Sequence, residues 1–195
     1  PKGRFKVSWM PPLEMRNIKK TERGKLVAPN SQMGCGGVDS YDLDMTVDGR
    51  GSKGALHLYN KFHMDHPSNM FVLEYASRPP LAKIFYEDVL KAAVFYGYPI
   101  LIEYGIARHF EARGHDGYLM ARPQHLLAAN SKVNVKTKGI PSNSQDVIQA
   151  HAHAIEAYIH DHVGLNREDG EIGNMYFNDT LEDWIGFDIN NRTRF

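Results

Sequence analysis

The chain has 195 residues, 42% of them hydrophobic and 11% aromatic, which is enough to bury one good-sized core and excludes disorder outside the ends. Lysine plus arginine equals aspartate plus glutamate at 23 each, so no global field draws nucleic acid or an acidic membrane, and any DNA contact must rest on local patches. The lone Cys35 excludes an intramolecular disulfide, no stretch reaches the roughly 18 apolar residues of a membrane span, and no signal-peptide pattern is read; a soluble protein of a reducing compartment is expected.

In chain order, residues 1–32 are rich in Lys and Arg, carry Pro11, Pro12 and Pro29, and show little periodicity beyond Phe5 to Trp9. They read as a linker or N-terminal arm entering a domain that runs from 33 to 195. Met33 to Asp39 predicts a strand. The polar, glycine-bearing run Asp48 to Gly54 then leads to Ala55-Leu-His-Leu-Tyr59, which alternates as a strand does, so the two form a hairpin with a long connection. Met70 to Ala76 predicts a third strand, and Arg78-Pro-Pro80 stops it and opens a helix to about Tyr96. Phe85, Val89, Ala92, Ala93 and Tyr96 recur at three- and four-residue spacing and make one apolar stripe on that helix.

Tyr98-Pro-Ile-Leu-Ile-Glu103 predicts a fourth strand, parallel to the third because a helix crosses between them. A short helix from Gly105 to Arg113, ended by Gly114, and a fifth strand at Tyr118 to Ala121 follow. Ser131 to Gly139 is polar and basic, without a core pattern. Pro141 to Ser144 supplies capping residues for a long helix through His160, and Thr180 to Phe187 predicts a short one.

Two acids end apolar strands. A carboxylate in the middle of a hydrophobic strand is costly to bury, whereas at the C-terminal end it projects into the crevice where open α/β sheets place ligands. Asp39 and Glu103 occupy such ends, and side by side they make a hard-cation site. Asp39 has a plainer role open to it as well, ending its strand through an Asx turn with Ser40 and Tyr41. Gly34, Gly36 and Gly37 precede the acid and lead into no helix, which fails the dinucleotide-loop pattern and leaves close packing as their role. His151 and His153, like His160 and His162, stand two apart and so share no helix face, which favours solvated histidines over a zinc site. Trp9 and Trp184 read as core or interface anchors.

The order of elements is an α/β, ribonuclease H-like arrangement: a central mixed sheet of antiparallel hairpin strands followed by parallel strands, flanked by helices. The strings Gly37-Val-Asp39-Ser-Tyr-Asp42-Leu-Asp44, Gly51-Ser-Lys-Gly54-Ala, Leu73-Glu-Tyr-Ala-Ser-Arg78-Pro79, Phe85-Tyr-Glu-Asp and Ile102-Glu103-Tyr104 resemble the C-terminal nuclease domain of tailed-bacteriophage terminase large subunits. The match is distributed from about Met33 to the end of the chain.

That resemblance implies a metal-dependent endonuclease that cuts concatemeric double-stranded DNA during genome packaging by two-metal phosphodiester hydrolysis with Mg²⁺ or Mn²⁺. Asp39 falls on the family's first acid, expected to bridge two ions, and Glu103 on the second. Asp44 is a candidate auxiliary ligand, and Asp42 a weaker one. The family's third acid sits in a late helix; Asp183 and Asp188 are the acids at hand for it. The domain is expected to be truncated at its C-terminus, with the third acid beyond Phe195, unless this chain uses one of those two. Arg50, Lys53, Lys132, Lys136 and Lys138 are candidate phosphate contacts, giving affinity without base readout. The implied partners are double-stranded DNA, the phage portal, the small terminase subunit and an N-terminal ATPase domain, with no membrane, and the implied location is the host cytoplasm, the protein not being retained in the virion. Two other readings of the residues stand beside this one: a catalytically weak docking or assembly module of the motor, and another nuclease of the same fold such as a resolvase or transposase.

Overall fold

The structure is a computed structural model that describes residues 3–41, 53–102, 106–123, 138–140, 145–163 and 174–188. Its strands are β1 (Lys6–Val7), β2 (Lys20–Glu22), β3 (Lys25–Val27), β4 (Gly34–Asp39), β5 (Gly54–Asn60), β6 (Met70–Ser77) and β7 (Ile100–Ile102). Its α-helices are α1 (Ala82–Tyr96), α2 (Ala107–Ala112), α3 (Gln145–Tyr158) and α4 (Asn178–Gly186), and a wider π turn over Ile159–Val163 prolongs α3.

One mixed sheet holds five of the strands in the order β1-β6-β5-β4-β7, and β2 pairs with β3 as a separate hairpin. β4, β5 and β6 form an antiparallel meander, while β7 lies parallel to β4 at the far side. Since β6 runs parallel to β7, α1 is a crossover that carries the chain over β5 and β4, as a helix of 15 residues allows.

The alternation of β5 explains its two faces. Gly54, Leu56, Leu58 and Asn60 are buried while the residues between them are half-buried. Leu56 and Leu58 join Val38, Tyr75, Ile100 and Ile102 in a core closed by Phe85, Val89, Ala93 and Tyr96 of α1. Burial of each large apolar side chain there contributes about 1.5–3 kcal/mol. The expected helical stripe is thus the buried face of α1. Gly36 lets this core close, because a Cβ there would stand 2.5 Å from Ile100 and 2.6 Å from Leu58. Gly97 ends α1 in the left-handed conformation at φ 70° and receives Asn30, whose side-chain amide donates to the Tyr96 carbonyl at 2.7 Å.

The other face carries aromatic residues. The Tyr158 ring of α3 lies 5.8 Å from Tyr59 and 5.1 Å from Phe71, and Trp184 of α4 lies 5.8 Å from Phe71, edge to face. α3 and α4 therefore pack on the side of the sheet away from α1. Trp9 joins the core cluster from the N-terminal side, its ring 6.4 Å from that of Tyr96.

Three expectations take a different form in the structure. The basic N-terminal segment, expected as an arm, lends β1 to the sheet edge, where Lys6 pairs with Glu74 and Val7 with Leu73. The expected fifth strand is reduced to single bridges, Leu119 to Ile100 in parallel and Ala121 to Lys138 antiparallel, because the turns between them break the ladder. The long helix loses its regular winding at Ile159, directly after Tyr158, whose ring lies 6.0 Å from that of Trp184. The capping segment 141–144 lies outside the described residues.

Candidate functional site

Asp39 is the last residue of β4, exposed at the C-terminal end of a strand whose neighbours Gly36 and Val38 are buried. It pairs with Ala55 at the start of β5. On its other side the parallel register aligns Val38 with Ile102, the residues that precede Asp39 and Glu103 in the sequence. Glu103 itself lies outside the described residues, as do Asp42, Asp44, Arg50, Lys132 and Lys136.

Asp183 is carried by α4, the helix that crosses the aromatic face. Burial raises its pKa, and so does the negative charge of Glu74, while His57 and Lys53 lower it. Lys53 directly precedes the first residue of β5 and is exposed, which places that electrostatic influence at the same end of the sheet as Asp39. Asp188 is exposed beyond the end of α4. Lys138 directs its ammonium to the Leu119 carbonyl at 2.6 Å, so it ties down the bridges after β7.

A set of residues that the sequence reading passed over anchors α4. Glu74, in the middle of β6, is only 2% exposed. Thr180 Oγ1 donates to Glu74 Oε2 at 2.5 Å, which leaves the Thr180 oxygen to accept from His57 Nε2 at 2.8 Å. Lys6 Nζ stands 2.8 Å from Glu74 Oε1, an ion-pair contact in place of an aligned hydrogen bond, and 2.6 Å from Asp179. Cross-strand pairing explains the convergence: Gly37 faces His57, His57 faces Glu74, and Glu74 faces Lys6 in one row across four strands. Burial alone raises the Glu74 pKa, but the His57 ring nearby, the Lys6 ammonium and the Thr180 hydroxyl outweigh it and hold the carboxyl at about 2. A sequence signal existed, since Glu74 interrupts the apolar run Met70 to Ala76 just where an unpaired charge is most costly.

Asp39 offers carboxylate oxygens, the ligand type that Mg²⁺ and Mn²⁺ take. Among the described residues no group of three metal-ligating side chains comes together. His151 and His153 are exposed on α3, and His162 packs its ring 5.3 Å from that of Tyr158. An apolar cleft of about 550 Å³ lies elsewhere, lined by Phe5, Val7 and Met10 of the N-terminal segment and by Leu90, Val94 and Phe95 of α1. No helix of the described residues is long and apolar enough to cross a membrane.

Comparison with protein-family models, with curated proteins and with solved structures found no match to this chain.

Proposed function

We propose that the chain is the ribonuclease H-like nuclease domain of a tailed-phage terminase large subunit, a metal-dependent endonuclease that cuts concatemeric double-stranded DNA during packaging. The observation that carries this reading is the parallel pairing of β4 with β7, which brings together the strand that ends in Asp39 and the strand that leads into Glu103. The sheet order, with an antiparallel meander on one side of β4 and a parallel strand on the other, supports the same reading. α4 carries Asp183, exposed yet close enough to Glu74, His57 and Lys53 to feel their charges, and this is the acid we take for the third ligand position.

Asp39, Glu103 and Asp183 would hold the cations through oxygen ligands, with Asp44 as an auxiliary. When bound, two divalent ions activate the attacking water and stabilise the leaving oxygen of the phosphodiester. The raised pKa of Asp183 fits a ligand that a neighbouring cation would relieve. The apolar cleft beside α1 favours a second reading, a docking module of the packaging motor with weak catalysis of its own.

Supercoiled-plasmid cleavage with Mn²⁺, Mg²⁺ or EDTA, run beside Asp39→Ala, decides between them. Metal-dependent nicking lost in Asp39→Ala is expected, with a melting temperature within a few degrees of the parent or above it, because a crowded carboxylate has been removed. Wild-type-like cutting by Asp39→Ala would remove this mechanism. Lack of cutting by the parent with either metal would favour the docking reading.

A further inference from the structure

We propose that the cleft between the β1 edge of the sheet and α1 is a docking groove for a helix of a partner protein, one whose apolar stripe is flanked by carboxylates that reach Lys83 and Lys91. This surface supplies the partner chemistry that the docking reading leaves open, and it does not depend on whether the acids at the strand ends cut DNA.

The fold leaves the place open. β1 is the edge strand and only two residues long, so the sheet stops early on that side. Phe5 and Val7 flank Lys6 and, with Leu73 across the ladder, line the sheet side of a cleft of about 550 Å³. The other side is a flank of α1: Glu87, Leu90, Lys91, Val94 and Phe95 recur at three- and four-residue spacing, beside the stripe that α1 buries in the core. Val7 is 43% exposed and Met10 54% exposed, so large apolar side chains that line the cleft stand in water. A groove with a helix ridge along one side takes a second helix packed beside the first.

Charge selects the occupant. Lys91 also lines a smaller, adjoining cleft, together with Lys83, Arg4 and Arg113. The carboxylates there are already met: Asp88 by Arg4 at 2.8 Å and by the Tyr75 hydroxyl, Glu87 by Arg113 at 3.0 Å and by His109. Lys83 and Lys91 have no ion pair among the described residues, although Lys91 is close enough to act on the Glu87 charge. The groove is therefore apolar within and cationic along α1, which suits an acidic amphipathic helix and turns away a basic one. Lys83 and Lys91 lie eight positions apart on α1, about 12 Å along its axis, the spacing of two acids two turns apart on a helix lying beside it.

Fluorescence anisotropy of a labelled synthetic helix of about 18 residues, with Leu on one stripe and Glu on both flanks, measured against the full chain, tests the groove. A matched peptide with Lys for every Glu is the control, and each protein variant is first checked by its melting curve. The Glu peptide should bind and the Lys peptide should not. Lys83→Glu combined with Lys91→Glu should weaken the Glu peptide about tenfold and admit the Lys peptide, a reversal that general destabilisation does not produce. Met10→Ser, at an exposed position, should weaken the Glu peptide several-fold. Equal binding of the two peptides, or no binding of the Glu peptide by the folded parent, overturns the proposal. So does a parent that sediments as a dimer dispersed by Met10→Ser, because a second copy then fills the groove. A labelled DNA duplex that displaces the Glu peptide and loses affinity on the double reversal would assign the two lysines to phosphates, which overturns it as well. The plasmid assay reports on the nuclease reading separately, so either can fail without the other.

Discussion

Glu74 gives the fold a dependence on acid that can be assigned to one side chain. Its folded pKa of about 2 lies below the ordinary value of 4.5, so the stabilisation it brings is complete above about pH 4.5 and is lost as pH falls towards 2. The shift corresponds to something on the order of 3 kcal/mol. Glu74→Gln should melt below the parent at pH 7, because the Gln side chain offers no charge to Lys6, and the two melting curves should converge as the pH is lowered from about 4.5 to about 2. Parallel curves over that window would mean that Glu74 contributes through packing and not through its charge. The rule that selects Asp39 by its place at a strand end also marks Glu74 by its place inside one. The position was legible; its partners were not, since Lys6 and Thr180 are far from it in sequence and nothing local links them.

At the level of elements, α4 is held by few contacts. A nine-residue helix is marginal in water by itself, and this one starts at Phe177 without a side-chain cap. Its attachments among the described residues include the Thr180 hydroxyl between Glu74 and His57, the Asp179 carboxylate on Lys6 and the Trp184 ring on Phe71 and Tyr158. Trp184→Ala should cost about 2–4 kcal/mol and loosen α4 before the sheet, so that amide exchange over 178–186 accelerates while β5 and β6 stay protected. Protection of α4 equal to the parent's would show that the polar anchor suffices. The missing cap also explains why the sequence placed the helix start at Thr180, two residues late. α1 was legible almost to the residue because its stripe repeats through 15 positions and Gly97 punctuates its end. β7 spans three residues and the bridges after it are single, too short for periodicity to define.

For the whole molecule, the N-terminal segment is bound into the domain. Arg4 pairs with the 5%-exposed Asp88 at 2.8 Å on the α1 side of the sheet, and Lys6 pairs with Glu74 on the other. Phe5, between them, sets its ring 4.7 Å from Tyr75. Removal of residues 1–9 would leave the buried carboxylates of Glu74 and Asp88 without their cations and strip the Phe5 ring from Tyr75, and should lower the melting midpoint by about 10 °C. A midpoint within a few degrees of the parent would return this segment to the status of an arm. Composition and proline content gave no warning of such anchoring, because a two-residue strand has no pattern of its own and its partner, β6, lies more than sixty positions away.

The hydrogen bond between Thr180 and Glu74 joins positions 106 apart in the chain. During synthesis the β4–β6 meander and α1 can form as soon as they emerge, from contacts that are mostly local. Until residue 180 has followed, Glu74 stands hydrated beside Lys6 on an open face. A nascent chain can thus carry its main hydrophobic core for some time before α4 docks, so that the buried Glu74 receives its hydroxyl partner only after most of the domain has been made.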